Sequence, residues 1–297
     1  MLASPVSRVH SRSATLLLVV TAAGLLSCSS GTTPHTPAPP APMRDSAAVS
    51  TPESWTPRLA PGSWHYHVVT EASVALTTDS STTRVPVRTS TFYTIRLESD
   101  SAGLALRGSV DSATVSADKT IPEQPDTTQR TSTFTAHIGA DGAVTDLQGS
   151  DSTQCVQGLD PRVAAVRALL IHTPATLTPN ATWSDSTSVV TCRGTTPIRT
   201  TTTYTYEVKG LTSWQGTPAL EIARTGTITL ASEAGLATAS AITITGTGNS
   251  TTTLLVDPAT AMILHATGES HASLTVATAR SKLPFRQDVT ETITLQP

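Results

Sequence analysis

The stretch RVPVRTSTFYTIRLE, Arg84–Glu98, decides the architecture. Val85, Val87, Thr89, Thr91, Tyr93, Ile95 and Leu97 recur at every second position. Only an extended strand brings such a set onto one face, because successive side chains point to opposite sides of a pleated backbone. The run is long, rich in β-branched and aromatic residues, and closed by the turn residues Asp100–Gly103.

Its neighbours repeat the pattern. Upstream, Ser63–Leu76 sets Trp64, Tyr66 and Val68 on one face and His65, His67 and Val69 on the other. Downstream, Leu104, Leu106 and Val110 continue the alternation. Thr131–Gly139 and Ala143–Leu147 flank Asp141-Gly142, a strong hairpin pair. The second half predicts strands at Trp183–Cys192, Thr201–Lys209, Pro218–Leu230, Ala237–Thr247, Thr251–Asp257, Ala261–Thr278 and Phe285–Leu295. Several exceed ten residues, which long, curved, twisted antiparallel strands accommodate. The fold class is therefore mainly β, a curved antiparallel sheet or half-barrel meander carrying one short helix.

That helix is expected at about 160–172. Asp160-Pro161 supplies an N-cap followed by Pro at the first helical position. Val163, Val166, Leu169 and Leu170 then form an apolar stripe that must pack on the sheet, and Thr173-Pro174 ends the run. The two flanks of the helix are loosely alike. Trp64 precedes Tyr93 by 29 residues and Trp183 precedes Tyr204 by 21, which leaves an internal repeat open.

Composition agrees with a β body. Thr (56) and Ser (33) together make up 89 of 297 residues, and Thr is a poor helix former that suits strands. Nineteen Lys and Arg against 22 Asp and Glu give a net charge of −3, which excludes a generic nucleic-acid binder.

The N-terminus is a targeting segment. Arg8 and Arg12 precede the apolar run Ala14–Leu26, too short for a permanent membrane helix. It closes on Leu25-Leu26-Ser27-Cys28, which resembles the lipobox of bacterial lipoproteins. The resemblance implies a signal peptide over 1–27, cleavage before Cys28 and a diacylglycerol on its thiol. Residues 28–61 follow as a Pro/Ser/Thr-rich tether; eight of the twenty prolines lie in 29–61, where too little apolar surface exists to offset ordering. Trp55 is the residue there expected to pack on the domain edge. Residues 62–297 form the single β domain. The lipid would attach the protein to the membrane of the cell envelope. By resemblance to the sorting of enteric lipoproteins, Ser29 rather than Asp after the Cys implies the outer membrane facing the periplasm, or the cell surface.

As a pattern, residues 62–297 resemble uncharacterised bacterial lipoproteins of the half-barrel type, the architecture of LolA and related lipid carriers. The opening GSWHYHV strand, the central helix and the late TTTLLVDPATAMILHATG hairpin carry the likeness. It implies a curved sheet wrapped over a helical element with an apolar cavity between them. It transfers no functional residue.

Two thiols remain once Cys28 is lipidated. Cys155 and Cys192 flank the helix, and in an exported chain they are expected to pair as a disulfide. His65 and His67, at i and i+2 on one strand face, are the metal candidates; His265 and His271 also share parity, with Glu269 between them. The alternative is that all four face solvent. No third ligand is assured, so no metal or other cofactor is assigned. No GxSxG, HExxH, P-loop or GxGxxG occurs, and no catalytic residue is assigned. Two function classes remain: a non-enzymatic structural or interaction module, and a carrier of a lipid or other hydrophobic ligand held between sheet and helix. A continuous apolar cavity would favour the carrier; convergent polar side chains in a cleft would favour an enzyme.

Overall fold

A computed structural model describes residues 53–78, 81–101, 103–116, 124–125, 132–139, 142–149, 159–193, 196–232, 243–278 and 281–297. The segments expected to be a signal peptide and a tether, through residue 52 and including Cys28, lie outside the described residues, as does Cys155.

The period-two runs form one antiparallel sheet. Its strands are β1 (Gly62–Thr78), β2 (Ser81–Asp100), β3 (Gly103–Ser116), β4 (Gln124–Pro125), β5 (Ser132–Ile138), β6 (Val144–Gly149), β7 (Thr182–Arg193), β8 (Thr196–Trp214), β9 (Thr217–Ser232), β10 (Thr243–Val256), β11 (Ile263–Ala277) and β12 (Lys282–Gln296). Eleven lie in the order β6-β5-β3-β2-β1-β12-β11-β10-β9-β8-β7, and β4 pairs on β3. The chain thus begins mid-sheet, winds out to one edge, crosses to the other edge, and winds back until β12 pairs with β1.

The crossing carries the helix. Residues Pro161–Ala165 (α1) are α-helical and Val166–Leu169 continue as a 3₁₀ turn. Asp160 caps it by accepting from the Arg162 backbone N–H at 2.7 Å. The element is shorter than the expected 160–172, because Leu170 is already extended (φ −119°, ψ 118°). Pro174 disfavours helical backbone before it, and so short a helix depends on docking for its stability. Leu170 and Ile171 instead reach the core from extended backbone.

The sheet curls around this helix. One cluster of buried side chains joins Val163, Val166 and Leu169 to Tyr66, Tyr93, Leu106, Phe134, Tyr206, Leu220, Leu254, Ile263 and Ile293, so that strands from both halves surround the same element. The fold is a half-barrel whose two edges meet at the helix. On the β6 side, Val163 lies against Gly149. On the β7 side, Leu159 bridges Thr191 and donates to the Val190 carbonyl at 2.8 Å. Tyr93 Oη donates to the Arg162 carbonyl at 3.2 Å, fixing the helix to β2.

Three boundaries differ from the sequence reading. The strands expected at Ala237–Thr247 and Thr251–Asp257 meet in one continuous strand, β10. Gly248, Asn249 and Ser250 look like a turn, yet Asn249 pairs with both Thr227 and His271, and partners on both sides hold the chain extended. Strand β8 runs on to Trp214, where Gln215 (φ 48°) and Gly216 (φ 82°) make a left-handed two-residue turn. The folded body also starts before residue 62: Trp55 and Leu177 exchange backbone hydrogen bonds of 2.9 and 2.8 Å, and Arg58 N–H donates to the Ala259 carbonyl at 2.7 Å.

Candidate functional site

Alternation sends every second side chain of each strand into the half-barrel, and not all of these are apolar. Register sets Thr89, Thr70, Glu291, Gly268, Thr252, Arg224, Tyr206 and Trp183 in one row across eight strands. Arg224 (3 % exposed) and Glu291 (7 %) are its two charges. Gly268, between them, presents no side chain.

Arg224 is held from three sides. Its Nη2 donates to Thr252 Oγ1 at 3.2 Å. Its guanidinium carbon lies 4.7 Å from the centre of the Tyr204 ring, a cation–π contact. Tyr206 takes a further side-chain hydrogen bond from it. Its Nε nevertheless has no hydrogen-bond partner among the described residues. Leaving such a buried donor unpaired costs about 1–3 kcal/mol, more when it is charged. Glu291 accepts from Thr70, and burial pushes its carboxyl up to about 7 against the opposing effect of Arg224. Burial likewise pushes the Tyr206 phenol up to about 12.

The row ends at the seam between the edges, in a cleft of about 140 Å³. Gly142–Val144 form one wall, Asp185–Thr187 of β7 another, and Tyr204, Tyr206 and Arg224 the floor. Arg167, from the 3₁₀ turn, and His172 close it. Arg167 Nε, like that of Arg224, is buried and without a hydrogen-bond partner among the described residues. Trp183 stiffens the wall: its ring stacks on Tyr206 at 4.8 Å, and its Nε1 donates to the His172 carbonyl at 2.8 Å. Asp185 Oδ1 accepts from the Ser186 backbone N–H at 2.7 Å. The cleft therefore combines two guanidinium groups, two phenols, an imidazole and one carboxylate. It can hold an anion.

The histidines singled out in sequence lie on the convex face. His65 Nδ1 is 3.0 Å from Thr94 Oγ1, whose hydroxyl donates to Asp111 Oδ2 at 2.7 Å. His67 stacks on Phe92 at 4.3 Å and reaches Ser90 Oγ at 2.8 Å. The two rings thus engage different partners on β2. His265 stacks on Trp214 at 4.0 Å. His271 sits 2.7 Å from Asp288 and 3.6 Å from Glu269. Strands β1 and β11 both flank β12, so Thr294 stands between His67 and His265. Among the described residues, no group of three or more His, Cys, Asp or Glu side chains is placed to hold a metal ion. Cys192 pairs opposite Pro197 on β8.

Arg167, Arg224 and Glu291 were not selected from the sequence. A signal existed for two of them. Arg224 has the parity of Leu220, Ile222, Ile228 and Leu230, and Glu291 that of Phe285, Val289 and Ile293. A charge in phase with buried residues on both sides marks a buried charge. Nothing local marks Arg167, whose site is made by the meeting of distant strands.

No protein-family model matches the chain, and no curated protein matches it. Among solved structures the chain is similar to a DUF1329 family protein from Desulfovibrio piger, at 9% identity over 75% of this chain and 83% of that chain, with a TM-score of 0.15. It is also similar to Pseudomonas aeruginosa OccK8 (OprE), at 7% identity over 79% of this chain and 98% of that chain, with a TM-score of 0.22.

Proposed function

We propose that the protein is an envelope lipoprotein whose half-barrel is a non-enzymatic binding or interaction module. The lipid on Cys28 attaches it to the membrane, residues 29–52 space it from the surface, and the body meets its partner in the periplasm or at the cell surface. The packing beneath the helix carries the choice of a module over a hydrophobic carrier of LolA type. Val163, Val166 and Leu169 are each 1–2 % exposed within one cluster of sheet side chains, so apolar protein atoms fill the place where a lipid chain would lie. The cleft at the seam is lined by charges and phenols.

Two measurements test this. Metabolic labelling with radioactive palmitate should mark the wild-type chain and fail with Cys28→Ser; equal labelling of the variant removes the anchor. Native mass spectrometry of the purified full chain should find no non-covalent lipid. A stoichiometric lipid that survives purification would instead establish the carrier.

A further inference from the structure

We infer that the seam cleft between β6, the helix and β7 is a binding site for a single oxyanion group, a carboxylate or a phosphate, gripped between Arg167 and Arg224. This deepens the binding-module reading by naming its ligand chemistry, and its test does not involve the lipid anchor.

Two observations made on different elements converge. Arg224 is presented by the middle of β9 and Arg167 by the turn that follows α1, yet both line one cleft, and each has a buried Nε with no hydrogen-bond partner among the described residues. Native folds rarely leave buried donors unpaired, so two guanidinium donors at one cavity mark a missing acceptor. Guanidinium groups prefer planar or tetrahedral oxyanions, which can take two parallel N–H donors at once.

The neighbouring charges leave room for an anion. Among the described residues, the charged and titratable side chains that face the cleft or Arg224, besides the two phenols, are Arg167, Arg224, His172, Asp185 and Glu291. One Asp185 oxygen is already engaged by the Ser186 N–H. Glu291 is separated from Arg224 by Gly268 and Thr252 in the row, and burial favours its neutral form, which leaves Arg224 only partly compensated. The phenols of Tyr204 and Tyr206 line the same cleft and add hydroxyl groups, and burial pushes that of Tyr206 up to about 12.

Size selects the ligand further. A volume of 140 Å³ is room for about four or five water molecules. A small oxyanion fits; an acyl chain or an extended nucleotide does not. A larger ligand would insert only its anionic end.

The test is calorimetric titration of the full-length chain in detergent with inorganic phosphate, acetate and soluble dihexanoyl phosphatidate. Saturable one-to-one binding at ~1 mM or tighter is expected for at least one of them. Arg167→Gln, at the half-buried lip, should weaken it about ten-fold or more while the unliganded melting temperature stays near wild type. Arg224→Gln should abolish it, with Arg224→Lys restoring part. Ligand should raise the wild-type melting temperature and leave that of Arg224→Gln unmoved, a response that a purely structural arginine does not give. Preference for phosphatidate assigns the oxyanion to a lipid headgroup; preference for phosphate or acetate assigns it to a free solute. No saturable binding of any probe to ~50 mM, or equal binding by wild type and both Gln variants, would overturn the site.

Discussion

On the concave side of β9, Leu220, Ile222, Arg224, Gly226, Ile228 and Leu230 follow one another; on its convex side stand Ala223, Thr225, Thr227 and Thr229. The strand is the same and the two environments are opposite. Curling compresses the inner surface and spreads the outer one. Inside, bulky groups therefore need small neighbours: a Cβ at Gly108 would fall on the Phe134 ring and the Thr94 carbonyl. Outside, registered rows such as Ser186–Thr203–Thr227–Asn249 stand apart in water. Burial follows parity before it follows polarity. Arg224 is buried, whereas Phe92 is 39 % and Leu211 is 49 % exposed.

The largest difference between the faces should come from Phe134. Its ring is 1 % exposed and covers Gly108. Phe134→Ala leaves a cavity that the curled sheet cannot close, and should cost about 3–5 kcal/mol by denaturant titration. A loss below ~1 kcal/mol would mean that the concave side is loosely packed there, and the contrast between the faces would fail.

Next comes closure of the seam by the Cys155–Cys192 disulfide, which we propose from export and pairing of the two remaining thiols. Leu159, four residues after Cys155 in sequence, bridges Thr191, the neighbour of Cys192. The bridge would close a loop worth about 3–4 kcal/mol, and hydrogen exchange in the helix should rise before that in the sheet when both are changed to Ser. Titration of the unfolded, unreduced chain should find neither thiol free. Two free thiols would leave closure to non-covalent contacts, among them the Asp160 cap, the Leu159–Val190 hydrogen bond and the Tyr93–Arg162 contact.

Glu291 sharpens the comparison through pH. Its carboxyl is raised from 4.5 to about 7, first by burial, so the folded state keeps a proton that the unfolded state releases earlier. The stability this gives is complete below about 4.5 and is lost as pH climbs through about 7. Glu291→Gln keeps the shape and cannot ionise. The variant and wild type should be equally stable near pH 4, and the variant should gain up to ~3 kcal/mol over wild type by pH 8. A gap that is flat with pH would show that solvent reaches Glu291.

The sequence made the two faces readable strand by strand, because alternation is local. It also placed the Asp160-Pro161 start of the helix and the turn begun by Asp257, whose carboxylate accepts from Ala259 N–H at 2.7 Å and Thr260 N–H at 3.0 Å. It failed where tertiary pairing overrides local preference. The Gly248-Asn249-Ser250 run is extended because β9 and β11 flank it, and the helix stops at Leu169 because the core takes up Leu170 and Ile171 from extended backbone. The cleft was hidden for a stronger reason. Arg167 and Arg224 are 57 residues apart and meet only because the sheet curls far enough to bring its edges to one helix.

The smallest expected effect is the strictest control. Thr227 and Ile228 are neighbours on β9, the first exposed and the second 5 % exposed. Thr227→Val exchanges a hydroxyl for a methyl of nearly the same shape and keeps the β-branch that suits a strand. The hydroxyl faces water between Thr203 and Asn249, so its loss leaves no buried group unpaired. The change in stability should stay within about 0.5 kcal/mol by denaturant titration. Ile228→Ala, one residue along, should cost about 2–5 kcal/mol because it opens the concave core. If Thr227→Val instead costs more than ~1 kcal/mol, the threonine rows of the convex face act together as a hydrogen-bonded layer, and that face contributes to the fold as the concave one does.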